Sequence, residues 1–243
     1  MNTNSNTYTI VYASVIVVIV AFLLAFVATA LKPTQDINVA VDKKQQILAS
    51  LNVRGIAKSE VETKYAELIK LDPVYNENAE PAQAGDKVGE KDQKDQEAFK
   101  VANKDIKANN RPRYVCEKDG ETIYVVPVKG AGLWGGISGY VALKSDCETV
   151  YGTYFTHESE TAGLGARITE EWFQTSFNGK KIFGDDKAKV ILSVLKKGKT
   201  VEGVGPDNFV DAVTGATLTS NGVNDMVQQC LQDYIDIFEQ IKK

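Results

Sequence analysis

Histidine occurs once in this chain, at His157, and cysteine three times, at Cys116, Cys147 and Cys230. One imidazole and three scattered thiols are too few for a metal site or a disulfide framework. With no serine elbow beside that histidine, a hydrolase built on a nucleophile-base pair is excluded as well. His157 reads as structural. Cys230 falls on an apolar helical stripe, where packing explains it, and Cys116 and Cys147 stay open as a pair in an oxidising compartment. Clustered positive charge is also missing: 28 Lys and Arg stand against 32 Asp and Glu, a net charge of -4, and no basic run is interleaved with aromatics. That excludes nucleic acid as a partner. What remains is 243 residues, 43% of them hydrophobic, enough for one main domain with appendages. No internal repeat is visible.

Charge is absent altogether from residues 9–31, a run of 23 positions rich in Val, Ile, Leu, Phe and Ala. As a helix it is about 34 Å long, enough for a hydrocarbon core of about 30 Å. Residues 1–8 carry no Lys or Arg, and the run exceeds the apolar stretch of a cleaved leader, so a single transmembrane helix is expected. The alternative is cleavage near Ala28-Thr29-Ala30. Lys32, Lys43 and Lys44 follow the span, and the positive-inside rule taken literally places the C-terminal domain in the cytoplasm.

Pro33 is expected to end the span. A helical segment over 34–75 follows, with Ser59-x-x-Glu62 as a capping box and Asp72-Pro73 as its stop. From 76 to 112 large apolar side chains thin out, and Asp86 to Lys100 is dominated by Asp, Glu, Lys and Gln. That composition reads as a charged surface insertion or linker. A folded domain is expected over 113–243. Strands flank Asp119-Gly120, with Pro127 marking a strand end or an edge. A glycine-rich loop surrounds Trp134, and a second strand pair joins Tyr140–Leu143 to Val150–Phe155. Further on, Lys189–Leu195 reads as a strand. The fold class is α+β: a membrane helix, then a mixed domain of antiparallel strand pairs closed by a C-terminal amphipathic helix. In that helix Val223, Met226, Val227, Cys230, Leu231, Tyr234, Ile235, Phe238 and Ile241 recur at spacings of three and four.

Chemistry is expected where that helix begins, in Asp211-Ala-Val-Thr-Gly-Ala-Thr-Leu-Thr-Ser220. Gly215 and Ala216 place little bulk beside the hydroxyls of Thr214, Thr217 and Thr219, and a helix N-terminus suits a phosphate. Read by itself, the stretch is a capped turn, with Thr219, Ser220 and Asn221 competent caps. An anchored binding or sensing domain without redox chemistry fits that reading.

Asp211-x-x-Thr214-Gly215-Ala216-Thr217 matches position for position the flavinylation motif of proteins that carry FMN through a phosphoester to threonine. His157-Glu-Ser-Glu-Thr-Ala-Gly-Leu-Gly165 resembles a second signature of these domains, Glu-Thr-Pro-Gly-Leu-Gly after a histidine, with Ala162 in place of the proline. Gly132-Leu-Trp134 and Trp172 fall where such domains have similar residues. Together these resemble the C-type subunits of the Na+-translocating NADH:quinone oxidoreductase family, which share anchor and motif with the G-type subunits of the Rnf electron-transport complex; length and the charged insertion favour the former. The resemblance implies a covalent FMN on Thr217, with Thr219 outside the motif, and an electron relay from NADH toward quinone. It implies the other subunits of a six-subunit Na+-pumping complex as partners and a flavin transferase using FAD and magnesium. It also implies a short N-terminus (1–8) inside the cell and the flavin domain on the periplasmic side of a bacterial inner membrane, opposite to the charge reading. Asp211 becomes a residue presented to the transferase. Trp134, Glu160, Thr161, Leu164 and Gly165 are expected at the flavin ring, and Thr214, Gly215 and Ala216 around the phosphate.

Overall fold

A computed structural model of the chain describes residues 5–85 and 97–242, in two compact units, 1–43 and 44–243. Residues 86–96 of the charged stretch and the first four residues lie outside the described residues. Helix α1 covers Asn6–Ser50. Its apolar part reaches a mean hydropathy of 3.1 over 18 residues, none of them buried, so it is long and apolar enough to cross a membrane.

Pro33 lies inside α1 and does not end it. Proline removes one intrahelical hydrogen bond and keeps a helical φ, and the stretch 28–32 before it and the helix that continues to Ser50 after it carry the chain through without a break. The stripe that begins after Pro33 is therefore the second part of one helix, whose end is buried at Ile47, Leu48 and Leu51.

Next come α2 (Lys58–Leu68), β1 (Ile69–Leu71), β2 (Val74–Tyr75), β3 (Pro81–Gln83), α3 (Glu97–Lys100) and β4 (Arg111–Pro112). Ala57, and not Ser59, occupies the cap position of α2 and makes no side-chain bond, so the expected capping box does not form. The described parts of 76–112 are ordered structure and not a bare linker. Strands β3, β2 and β4 form an antiparallel sheet, and Ala79 and Ala98 are buried.

The main sheet is built from β1, β5 (Tyr114–Lys118), β6 (Glu121–Ala131), β7 (Gly136–Lys144) and β8 (Val150–His157), antiparallel throughout in the order β1-β5-β6-β7-β8. The Asp119-Gly120 hairpin and the β7–β8 pair form as expected. Pro127 does not end β6, which runs on to Ala131, but it does mark an edge: β5 pairs only as far as Val125, so beyond it β6 is paired on the β7 side alone, where Pro127 stands opposite Tyr140 and a residue without an N–H is tolerated. Then follow α4 (Glu171–Thr175), β9 (Ser193–Leu195), β10 (Phe209–Asp211), α5 (Thr217–Gln232) and α6 (Ile235–Ile241). Of the expected 189–195 strand, Ser193–Leu195 forms β9 and pairs in parallel with β10, while Val190 makes an isolated antiparallel bridge to Phe183. The apolar C-terminal stripe is split between α5 and α6, with Tyr234 at the break donating its hydroxyl to the Pro112 carbonyl at 2.8 Å.

Val223, Met226, Val227 and Leu231 of α5 pack with Val126, Val128, Ile137 and Val141 of the sheet in one core cluster. Burial at this scale contributes roughly 1.5–3 kcal/mol per large side chain. Phe155, Phe173 and Phe177 extend the core at ring separations of 5.2–6.2 Å. Cys116 and Cys147 are buried free thiols, not a disulfide. Cys230 packs beside the cluster, its Sγ within 3.3 Å of the Lys129 carbonyl.

Candidate functional site

The parallel pair β9–β10 delivers the chain to Asp211, and Ala212 N–H extends the ladder to Leu195 O at 2.8 Å. Val213 is then buried, and its N–H donates to Ser220 Oγ at 3.1 Å, so the hydroxyl expected to cap α5 instead pins the approach to it. Ala216 N–H closes a turn onto Val213 O at 3.1 Å. Gly215 takes a φ of +83°, which a side chain would strain, and a β-carbon there would also stand 3.1 Å from Leu164 Cδ2. The Gly-Leu-Gly loop and the threonine turn therefore meet at Gly215.

Helix α5 starts at Thr217 with Ala216 at its cap position and no side-chain cap, and its first turn holds no acidic residue. Among the described residues, the N–H groups of Thr217, Leu218 and Thr219 find no acceptor. Thr217 is exposed, while Thr219 and Ser220 are each 1% exposed. Thr219 is not the helix cap that its position implies. Its hydroxyl donates to Glu160 Oε2 at 2.6 Å.

Glu160 is the hub of the site. Its Oε1 accepts from Trp134 N–H at 2.8 Å and its Oε2 from Thr219, while its own N–H donates to His157 Nδ1 at 3.2 Å. Ser159 Oγ donates to Trp134 O at 2.8 Å, binding the same two loops a second time. Burial by itself raises the Glu160 carboxyl. The hydrogen bonds from Thr219 and from the N–H groups of Trp134, Leu133 and Gly135 outweigh it and hold the group below the usual carboxylate range. His157 serves the loop through Nδ1, which accepts from the Glu160 N–H.

Above this hub the surface is apolar. Trp134 is 67% exposed and Leu218 60%, with Leu133, Leu164 and Trp172 near 45%. Trp172 Nε1 donates to Glu170, and the Arg167 guanidinium lies 5.3 Å from its ring. The expected site residues fall into two layers. Trp134, Thr161, Leu164, Thr214, Gly215, Thr217 and Asp211 face solvent, whereas Glu160, Gly165 and Ala216 are buried beneath. Thr161 holds the turn by accepting from Leu164 and Ala166 N–H, each at 3.1 Å.

Sequence reasoning missed the bond between Thr219 and Glu160. A signal was present, since Thr219 stands four residues before Val223 on the apolar stripe of α5, and a polar group there needs a buried partner. The layered arrangement fits FMN. It offers an exposed aromatic and aliphatic surface, free N–H groups at a helix N-terminus whose own first turn carries no acidic residue, and an accessible hydroxyl between them.

Residues 132–232 match the family model of an FMN-binding domain, which spans the glycine loop through the end of α5. The chain is 31% identical to the C-type subunit of the Na(+)-translocating NADH-quinone reductase of Pseudomonas aeruginosa, over 98% of this chain and 96% of the relative. It is 34% identical to the corresponding subunit of Haemophilus ducreyi, over 92% and 88%. Among solved structures, the corresponding subunit from Parabacteroides distasonis aligns at 38% identity with a TM-score of 0.74, covering 86% of this chain and 96% of that one. NqrC of Shewanella oneidensis aligns at 27% identity and a TM-score of 0.63, covering 84% and 99%. With relatives above 30% identity matched along almost all of its length, the chain belongs to the NqrC family, the C-type subunits of the Na+-translocating NADH-quinone reductase.

Proposed function

We propose that this chain carries FMN as a phosphoester on Thr217 and relays electrons from NADH toward quinone as one component of a six-subunit Na+-translocating NADH:quinone reductase. When bound, FMN supplies the reversible uptake and release of electrons. The observation that carries the reading is the placement of Thr217: last residue of the Asp211-x-x-Thr-Gly-Ala-Thr run, exposed, and first in an uncapped helix. A separate flavin transferase can reach its hydroxyl. The hydroxyls of Thr219 and Ser220 are buried and already bonded.

Attachment draws on FAD and a magnesium ion. A bond forms between Thr217 Oγ1 and the flavin-side phosphorus of FAD, the bond to the AMP half breaks, AMP leaves, and the hydroxyl proton passes to solvent. The free N–H groups of the first turn and the positive end of α5 favour the phosphate by about 0.3–1 kcal/mol. Thr214, Gly215 and Ala216 would hold the phosphate, and Trp134, Leu164 and Thr161 would give the ring its apolar and polar contacts. Asp211, exposed at the end of β10, is placed for the transferase to read. Because the link is at the phosphate end, it holds the cofactor at high effective concentration and leaves the ring electronics alone.

The apolar part of α1 supports anchorage in a membrane; the family resemblance, against the charge asymmetry of the span, favours a bacterial inner membrane with the flavin domain on the periplasmic side. Produced with a transferase, the wild-type chain gives a denatured gel band that fluoresces under ultraviolet light. Thr217→Ser keeps the band fluorescent because the hydroxyl remains, and Thr217→Ala abolishes it. A fluorescent Thr217→Ala band would move the attachment elsewhere.

A further inference from the structure

Glu160 lies among the residues expected at the flavin ring, yet both of its carboxylate oxygens are occupied by the protein. Oε1 holds the N–H of Trp134, and Oε2 holds the hydroxyl of Thr219. The two bonds join segments 85 residues apart: the loop after β6 and the first turn of α5. We propose that Glu160 and Thr219 form a clamp that positions the attachment site, fixing the first turn of α5 so that Thr217 faces outward and holding the Trp134 loop against it. The inference rests on Thr217 being the attachment point and deepens that reading.

Helical geometry supplies the first argument. Residues two apart in a helix differ by about 200° in direction. Drawing the Thr219 hydroxyl inward to a buried carboxylate therefore turns Thr217 away from the core, in agreement with 1% exposure at Thr219 and an exposed Thr217. The first turn has no side-chain cap to hold it otherwise. A second hydroxyl, Ser220 Oγ, fixes the incoming chain through Val213 N–H. The turn is thus held from both sides.

The second argument comes from two glycines. A β-carbon on Gly132 would fall on Glu160 Oε1, and one on Gly165 would fall on Glu160 Oε2 and Thr219 Oγ1. Neither has a left-handed φ, so conformational freedom does not explain them. They leave room for the carboxylate. Glycines in loops near a cofactor are commonly read as permitting the cofactor's approach; here they admit the clamp. The charged state suits the role as well, since an ionised carboxylate only accepts hydrogen bonds, and every neighbour aimed at Glu160 is a donor.

Thr219→Val removes the donor at nearly constant volume, and Thr219→Ser restores it. Glu160→Gln keeps the size and removes the charge. Full-length apo-protein in detergent is treated with transferase, FAD and Mg2+, and attachment is followed over time. In parallel, amide hydrogen exchange is measured at Trp134 and over 217–220 in the apo-protein. Thr219→Val should slow attachment roughly tenfold to a hundredfold, the cost of misplacing a reacting group by about an ångström. It should also speed exchange at Trp134, and Thr219→Ser should return both toward wild type. Thermal melting run alongside identifies a variant that has merely unfolded, since a global loss speeds exchange everywhere. Wild-type attachment rates together with unchanged Trp134 exchange in both Thr219→Val and Glu160→Gln would overturn the clamp. If the wild-type chain itself takes no flavin, the attachment reading falls, and exchange in the apo-protein still decides the clamp.

Discussion

At Glu160 two opposing effects meet on one carboxyl, and which one wins can be read from pH. Burial raises the group, while Thr219 and the N–H groups of Trp134, Leu133 and Gly135 lower it more. A carboxyl lowered in the folded state contributes stability that is fully present above its unfolded value of about 4.3 and is lost as pH falls through the folded value. In a Trp172→Phe background, Trp134 is the chain's remaining indole. Its fluorescence anisotropy is expected to stay constant from neutral pH through the ordinary glutamate range and to drop only as the pH falls below that range. With Thr219→Val added, the drop should move to higher pH, because one of the stabilising donors is gone. A profile unchanged by that substitution would show that the Thr219 bond does not hold the loop. Residues of this kind were half legible in the sequence. The motif singles out Thr217 as the proposed attachment point, but Thr219 and Ser220 look like helix caps until the fold shows what they face: a hydroxyl near a helix start caps the helix if it points along the axis and bonds a neighbour if it points across.

Among the elements, α5 and β6 decide how the site is built, and they approach closely because of glycine. A β-carbon on Gly222 would fall on the Ala131 carbonyl, and one on Gly130 would stand 2.8 Å from Met226 Cβ. Gly222→Ala gains about 1 kcal/mol in helix propensity. It also forces a methyl onto a backbone oxygen that cannot swing aside, an overpacking cost of about 1–3 kcal/mol. The clash is expected to win, so Gly222→Ala should lower the melting temperature of the full-length protein in detergent. A higher melting temperature would mean that helix and strand can part to admit the methyl. Elements with local signals were the ones legible beforehand: the Asp119-Gly120 hairpin, the β7–β8 pair and the C-terminal stripe. Elements whose signal is overridden by distant partners were not. Pro33 looks like a stop but sits in a helix sustained on both sides. Pro127 looks like a strand end but lies within β6, on the stretch that β5 leaves unpaired. The parallel pairing of β9 with β10 and the sheet of β2, β3 and β4 depend on contacts between segments that carry little periodicity of their own.

For the molecule as a whole, an apolar helix long enough for a membrane is followed by a domain whose core packs α5 against a five-stranded sheet. Membership of the NqrC family follows from similarity along almost the whole chain. The proposed site, the apolar surface around the start of α5, lies within the stretch that matches the FMN-binding domain. The proposed relay by a tethered flavin and the proposed role of a transferase depend on the ester at Thr217. Mass spectrometry of the intact full-length protein, purified in detergent after production with a transferase and followed by peptide mapping, decides whether that ester exists. One FMN-sized addition per chain is expected, localised to the peptide carrying Thr217. A bare polypeptide, or an addition on a peptide without Thr217, would contradict it.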